Sequence, residues 1–445
     1  MIKNLLITGA GVDRTKGIDF PLAATLLPEI SAYLDKDGKD VDKVLRSLLP
    51  NLRFTFSSIV ARAVEAITSR GADSQRAMVM RVKEVIERLP EDRSHIRRHW
   101  ELIIRLFDKL VIIAEAGELD DETRKLIKEV FPQDADDLMD SDSILDIHKL
   151  SLSDTFKAVL KRTLKLGLQS ERHEVAAALG ADMLNIENLL VEKFLGFYSE
   201  DLPNIKNYLY IAWVLWAYLV FKQKQVLEAH KGAALPFYGA LPKDCHAITL
   251  NYTSFLERQL GRDKVIYFHG GLAEYVSMAT RELVPIEEDM STLDPADFLK
   301  GQAENIHFDS EDVTQHKHVI PALVPPLRLK PILSHRYIDA WHSASQWVKF
   351  AERIVVVGYS FNSADEHFND ILRQQMHGKM VTIIGPGVLD DSFLGRMEKV
   401  FHIPKNNWVT KKIQNYPAKV ANHLQLVKAY ADEISISDFF AIKYS

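Results

Sequence analysis

The chain has 445 residues, a formal net charge of -6 and 47% hydrophobic residues, which is the composition of an ordinary globular protein with two or three domains. The acidic balance argues against general coating of nucleic acid, and we interpret the basic cluster Arg93, Arg97 and Arg98 as a solvated helix face. The single cysteine, Cys245, excludes a disulfide framework and a four-cysteine zinc module, and it favours a reducing cytoplasm.

No segment has the pattern of a signal peptide or a membrane span. The apolar run at the N-terminus is too short for a secretory signal and leads into a glycine turn. The most apolar stretch, 208–221, would span only about 21 Å as a helix, which is less than a bilayer core. We expect a cytoplasmic protein without a membrane contact, in which 208–221 forms a buried helix or an oligomer interface.

The N-terminal residues predict a strand, a glycine turn and a helix. The run "NLLITGAG" is an apolar strand that ends at Gly9 and Gly11, and apolar residues in 21–34 have helical spacing. This order opens a nucleotide-binding α/β unit. From 35 to 244 the helical spacing continues and strand signals vanish, so we assign these residues to an all-helical insertion.

Strand signals return after residue 244. Short apolar runs that end in polar or glycine-rich turns lie at 246–252, 264–271, 352–360 and 379–387. Helical segments at 337–351 and 365–376 alternate with the later runs, which indicates a parallel, doubly wound sheet. The expected fold class is therefore α/β, with a Rossmann-like parallel sheet interrupted by a large all-helical insertion.

The expected domain boundaries follow from these elements. Residues 1–34 and 245–400 form a discontinuous Rossmann-like domain, and 35–244 form the helical insertion domain. Residues 401–445 form a C-terminal extension that packs on the core. We find no fixed-period repeat, which argues against a solenoid.

The first predicted turn carries glycines that fit a phosphate site. Ligands of open parallel sheets bind at the carboxyl ends of the strands. Gly9 and Gly11 would let the backbone approach a pyrophosphate beside a helix N-terminus, although a tight turn without a ligand also explains them. Arg14 stands where the dinucleotide fingerprint has glycine, and no P-loop pattern is present.

Three later turns offer further polar groups. Asn251 can hold a ribose hydroxyl or a water, or it can cap the next helix. His269 ends an apolar strand before two glycines and is either a general base or a buried structural residue. Gly358 and Ser360 end another strand, where Ser360 can bond a phosphate or a ribose. We expect Asp365 to be a helix N-cap rather than an acid catalyst.

These segments, in this order, resemble the sirtuin family. "GAGVDRTKGI" is similar to its GAG-[IV]-S-x-x-S-G-I run, "GIDF" to a shortened G-I-P-D-F-R, "TLNYT" to T-Q-N-I-D, "FHGG" to its histidine-glycine motif, and "VGYS" to G-[TY]-S. "VTIIGPG" resembles the final, adenine-side strand. The stretch from "LVPP" to "ADEHF" is similar to the bacterial sirtuin-like domains of anti-phage defence systems. The resemblance covers 1–34 and 245–400.

The resemblance implies an NAD glycohydrolase with NAD as its substrate and no metal. It places His269 and Asn251 on the catalytic positions, where His269 would take the proton of the attacking water and Asn251 would orient the water or the ribose. It also implies a set of NAD-binding positions, in which Phe20 would cover the nicotinamide. This set is Gly9, Ala10, Gly11, Asp19, Phe20, Thr249, Gly358 and Ser360.

Departures from the family argue against a protein deacylase. The chain cannot build the four-cysteine zinc module, Pro21 replaces the arginine after "DF", and Thr253 replaces the aspartate of the asparagine motif. A dehydrogenase is disfavoured by the broken glycine fingerprint. We expect an NAD-depleting effector of anti-phage defence that assembly or a partner regulates. The alternatives are a non-catalytic sensor or scaffold that binds NAD or ADP-ribose and, with less support, an NAD-dependent deacylase.

The expected partners follow from the apolar helices and from the resemblance. Aromatic-rich helices need a covering surface, so we expect a homo-oligomer with Trp213, Trp216 and Tyr218 in or near a buried interface. The resemblance adds a ring-forming ATPase as a candidate partner. We expect no sequence-specific nucleic-acid binding.

Overall fold

The structure is a computed structural model. It describes residues 2–21, 23–52, 54, 80, 101–102, 105–106, 109, 121–130, 202–278, 280–306, 318–324, 334–362, 365–376 and 378–442. Contacts divide the chain into two compact units. Unit 1 comprises Met1–Leu22, Asp37–Leu52 and Gly196–Ser445, and unit 2 comprises Ala23–Lys36 and Arg53–Leu195.

Unit 1 contains two sheets. The described strands are, in chain order, β1 (Asn4–Thr8), β2 (His246–Thr249), β3 (Val265–Tyr267), β4 (Gly270–Ser277), β5 (Glu282–Pro285), β6 (Val319–Leu323), β7 (Arg353–Val357), β8 (Val381–Ile384), β9 (Val409–Ile413), β10 (Tyr416–Ala421) and β11 (Leu424–Val427). The large sheet has the order β3-β2-β1-β7-β8-β11-β10-β9, and the small sheet has the order β5-β4-β6.

The large sheet confirms a mixed α/β fold with a mostly parallel sheet. Its strands from β3 to β11 in the sheet order run parallel, and β10 pairs antiparallel with both β11 and β9. Numbered along the chain, the six parallel strands have the Rossmann order 3-2-1-4-5-6. The order reverses between β1 and β7, where Leu6 pairs with Val355. Ligands of such sheets bind beside this reversal.

Buried apolar residues explain why these segments form a central sheet. β1, β8 and β11 are buried along their whole length, as expected for parallel strands covered on both faces. All five predicted strands are present in the large sheet. β11 was not predicted, although it lies inside the sheet beside β8. It belongs to the segment that the sequence assigned to a C-terminal extension.

The described helices are distributed over both units. In chain order they are α1 (Ala10–Asp13), α2 (Ala23–Asp35), α3 (Lys39–Leu48), α4 (Asp121–Val130), α5 (Leu202–Ala229), α6 (Phe255–Leu260), α7 (Pro295–Gly301), α8 (Ala303–Ile306), α9 (His335–Phe350), α10 (Glu366–Gln375), α11 (Asp391–Phe401) and α12 (Ile436–Phe440). By their residue numbers, α2 and α4 belong to unit 2 and the others to unit 1.

The predicted insertion is only partly covered by these helices. The acidic loop predicted at 132–143 and the helical segments at 57–67 and 152–168 lie outside the described residues. Within the described part, α3 and α5 group with the large sheet, whereas the sequence placed both in the insertion. The prediction of a separate all-helical insertion therefore stays a prediction.

Helix α5 contains the most apolar stretch of the sequence, and unit 1 covers it. The indole N–H of Trp213 donates to the carbonyl of Val319 (3.1 Å), and that of Trp216 donates to the carbonyl of Leu272 (2.9 Å). Both rings pack near Phe298, at centroid distances of 6.0 and 4.9 Å. Trp213, Trp216 and Tyr218 are buried within one chain, so their side chains are not exposed for an interface between copies. Among the described helices, none is long and apolar enough to cross a membrane.

Candidate functional site

The loops after β1 and β7 pack against each other where the strand order reverses. The amide of Gly9 donates to the carbonyl of Val357 (3.1 Å), and the amide of Gly11 donates to that of Gly358 (2.9 Å). A Cβ on Gly9 would lie 2.7 Å from the Gly358 oxygen, and one on Gly11 would lie 2.8 Å from the Gly358 Cα. Contact between the loops therefore explains these glycines, and both amides are already donated within the protein. Ala10, between them, is exposed.

Asn251 joins the β2 loop to the β1 loop. Its Nδ2 donates to the carbonyl of Gly9 (3.1 Å), and its backbone amide donates to Thr249 Oγ1 (3.0 Å). The N-cap position of α6 is Ser254, and among the described residues no side chain caps that helix. Asn251 is therefore not a helix cap. Thr249 is buried and also bonds the Thr8 hydroxyl (3.0 Å), so it braces Asn251 from within the sheet.

Asp13 forms a buried polar cluster that the sequence did not predict. The Tyr238 hydroxyl donates to its Oδ1, and the Thr253 hydroxyl donates to its Oδ2 (2.9 Å). Burial raises the pKa of the Asp13 carboxyl from 3.8 to about 6, against the opposing effect of hydrogen bonds from Tyr238, Thr253 and Asn251. In the family motifs quoted above, position 13 is serine and position 253 is aspartate. The carboxylate has changed sides across one hydrogen bond.

Phe20 and Asp19 have structural environments in this conformation. Phe20 is buried and packs edge-on against Phe255, with a centroid distance of 5.8 Å and an interplanar angle of 89°. Asp19 is exposed and has a positive φ of 48°. Its Oδ2 accepts from the Gly17 amide (3.1 Å), which stabilises the turn. The structure brings neither side chain to His269.

The imidazole of His269 contacts an acceptor at each ring nitrogen. Its Nδ1 lies 3.3 Å from the carbonyl oxygen of Leu250. Its Nε2 lies 3.2 Å from Asp365 Oδ1, with only 3% of the His269 side chain and 13% of the Asp365 side chain exposed. The Trp341 indole holds the preceding residue, since its N–H donates to the Phe268 carbonyl (2.8 Å) and the two rings stack. His269 is thus fixed at the end of β3.

The two glycines after His269 let another strand approach. Gly270 has a φ of +76°, and a Cβ there would lie 1.8 Å from the carbonyl oxygen of Ala322 in β6. A Cβ on Gly271 would lie 3.2 Å from the Tyr267 ring. The Val324 amide donates to the His269 carbonyl (2.8 Å). Close approach of β6, in the small sheet, therefore explains the glycine pair without a ligand.

Asp365 has a different role from the expected one. It occupies the N-cap position of α10, but among the described residues its side chain makes no capping bond there. Its carboxylate contacts His269 instead. The loop that carries it is braced by Tyr359, whose hydroxyl donates to Asn369 Oδ1 (2.7 Å). Ser360 in this loop is exposed. A carboxylate shortly after "GYS" was the available signal, and the helix-cap prediction obscured it.

A cleft of about 580 Å³ lies elsewhere in unit 1. It is bordered by the end of α5 and by α6, and its lining includes His230, Lys231, Tyr238 and Arg258. It does not include His269 or the other predicted site residues. A cleft without converging reactive groups gives no chemistry, so we place the candidate site at the strand ends, which are largely closed in this conformation.

The remaining candidates for chemistry are weaker. Cys245 is buried, and burial, helped by the charge of Asp244, raises the pKa of its thiol to about 12, so the thiolate nucleophile is scarce at neutral pH. Within the residues that the structure describes, no group of three or more His, Cys, Asp or Glu side chains is placed to hold a metal ion.

The strand-end contacts form one continuous chain. Gly9 is bonded to Asn251, the neighbouring Leu250 carbonyl contacts His269, and His269 contacts Asp365. Residues from the ends of β1, β2, β3 and β7 are thereby joined beside the strand reversal. No protein-family model matches the sequence, and no curated protein matches it.

Proposed function

We propose that the protein hydrolyses NAD to nicotinamide and ADP-ribose at the carboxyl ends of β1, β2, β3 and β7. One observation carries this proposal: Asn251, His269 and Asp365, from separate parts of the sequence, meet beside the strand reversal of a sheet with Rossmann order. The resemblance of these turns to sirtuin motifs supports NAD as the substrate.

The reaction asks little of the protein beyond positioning and one proton acceptor. Cleavage of the bond between nicotinamide and ribose leaves positive character on the ribose, and nicotinamide departs as a neutral molecule. A water then attacks and loses a proton. The His269–Asp365 pair supplies titratable groups for this step, and Asn251 lies close enough to the pair to orient water or ribose hydroxyls.

The closed state of the site supports a regulated activity. His269 is almost fully buried, and Asn251 is bonded to Gly9. Access of NAD to these groups therefore requires the strand-end loops to separate. We propose that assembly, or a partner such as a ring-forming ATPase, causes this opening, in a cytoplasmic effector that depletes NAD during anti-phage defence.

The same closure favours a second candidate, a non-catalytic subunit that binds NAD or ADP-ribose. A sensor needs a complementary surface but no free base, and the Gly9 and Gly11 amides are already donated within the protein. A protein deacylase is a third possibility with less support, because a four-cysteine zinc module cannot form from one cysteine.

Chromatography of NAD incubated with the purified protein distinguishes these functions. The hydrolase releases nicotinamide and ADP-ribose without an acylated peptide, alone or with its partner. A deacylase releases nicotinamide only when an acylated peptide is added. A sensor binds ADP-ribose in calorimetry and leaves NAD intact under every assembly condition, which would overturn the proposal of an enzyme.

A further inference from the structure

We propose that Asp365 is the general base of this site and that His269 is the positioning residue behind it. The inference rests on the NAD hydrolysis proposed above and reverses the roles that the sequence motifs imply. It follows from the atoms that the two side chains present to each other and from their relative exposure.

Neither ring nitrogen of His269 is available to accept a proton from water. Nδ1 faces the carbonyl oxygen of Leu250, which can only accept, so Nδ1 carries a hydrogen. Nε2 lies at ion-pair distance, 3.2 Å, from Asp365 Oδ1. Two lone pairs would repel at this distance, so one proton lies between these atoms, on the imidazolium or on the carboxyl group. A second proton has no place on the ring.

The remaining acceptor of the pair is the other carboxylate oxygen of Asp365. Asp365 is also the more accessible partner, with 13% of its side chain exposed against 3% for His269. Among the described residues its side chain does not cap α10, so the helix terminus gives no separate reason for the carboxylate. An incoming water therefore meets Asp365 before it meets the imidazole.

The neighbouring titratable groups leave this role to Asp365. Burial raises the pKa of both Tyr252 and Tyr359, and the negative charge of Asp365 raises them further. The two phenols therefore stay protonated and donate, to the Val324 carbonyl and to Asn369 Oδ1 respectively. Glu366, which also raises the pKa of Tyr359, is on the exposed side of α10 and is paired with Arg373.

The proposed step balances without a further reactant. The bond between the ribose carbon and the nicotinamide nitrogen breaks, and its electron pair leaves with neutral nicotinamide. A bond forms between that carbon and the water oxygen, and the proton of the water passes to the Asp365 carboxylate and then to solvent. The negative carboxylate also opposes the positive charge that develops on the ribose.

The test compares kcat, KM and melting temperature for Asp365→Asn, Asp365→Glu and His269→Gln. Asp370→Asn is the matched control, because Asp370 lies on the same helix and its carboxylate is exposed. Asp365→Asn is expected to lower kcat by roughly 10²–10⁴-fold with little change in KM or melting temperature. Asp365→Glu restores part of the rate, and His269→Gln loses less activity than Asp365→Asn.

Three outcomes would contradict the inference, and they differ from failure of the proposed function. If the parent releases no nicotinamide under any assembly condition, both proposals fail. If the parent is active and Asp365→Asn turns over NAD like Asp370→Asn, only the role of Asp365 fails. If His269→Gln loses as much kcat as Asp365→Asn or more, with both variants folded, His269 is the base.

Discussion

At the scale of single residues, burial of Asp13 makes stability depend on pH. Its folded-state pKa of about 6 exceeds the ordinary value of 3.8, because burial penalises the carboxylate more than the donors from Tyr238, Thr253 and Asn251 stabilise it. Between these two values the folded state holds more protons than the unfolded state. The contribution of Asp13 to stability is therefore favourable below about pH 4 and is lost as the pH rises through about 6.

We expect Asp13→Asn to gain stability relative to the parent as the pH rises from 4 to 7. The full change is about 3 kcal/mol, since each unit of pKa difference corresponds to about 1.4 kcal/mol. Asparagine keeps an oxygen for the Tyr238 hydroxyl. Urea unfolding across this range measures the difference, with Asp370→Asn as control. A constant difference between variant and parent at every pH would show that Asp13 is not perturbed.

The glycine after His269 provides a second test at this scale. Gly270→Ala is expected to destabilise the protein more than Gly232→Ala does. Both glycines have positive φ, at +76° and +83°, so both substitutions carry the same backbone strain of about 1–2 kcal/mol. Only at Gly270 would the new Cβ meet another strand, at the Ala322 oxygen. Equal losses in chemical unfolding would mean that close approach of β6 does not require this glycine.

At the scale of elements, α5 is held in unit 1 by its own indole groups. The Trp213 and Trp216 N–H groups satisfy backbone carbonyls next to β6 and within β4, so the helix and the small sheet support each other. An apolar helix could equally be covered by a second copy of the chain. The hydrogen bonds of α5 are made within one copy, which makes this helix a core element.

Substitution of Trp216 separates these two possibilities. Trp216→Phe is expected to lower the free energy of unfolding by about 1–3 kcal/mol, because the buried Leu272 carbonyl loses its donor. The sedimentation coefficient should stay that of the parent, since the side chain is not at a surface. A change of oligomeric state with unchanged subunit stability would instead place this helix in an interface.

At the scale of the whole molecule, NAD or ADP-ribose should stabilise the folded protein if the strand ends bind it. Ligand at 100 times its dissociation constant contributes about 2.7 kcal/mol to stability. ADP-ribose is the better probe, because hydrolysis does not consume it. We expect it to raise the melting temperature of the parent but not of Asn251→Ala. No shift in either protein, with the natural partner present, would argue against a nucleotide site.

The sequence by itself determined the parallel sheet of the protein. Apolar runs such as those of β1 and β7, each followed by a glycine turn, are local patterns, and burial of such runs on both faces favours a parallel sheet. β11 escaped prediction because a four-residue apolar run is ambiguous without its neighbours. The sequence also identified Asn251 and His269 as residues at strand ends.

Only the tertiary structure decided which groups meet at those strand ends. Asn251 bonds Gly9 across 242 positions, Tyr238 bonds Asp13 across 225, and Asp365 reaches His269 from the next helix of the sheet domain. Such pairs depend on strand order and on packing, which no local spacing encodes. The same holds for the glycines at 9, 11 and 270, because sequence shows that a backbone position is open but not whether a ligand or another strand fills the space.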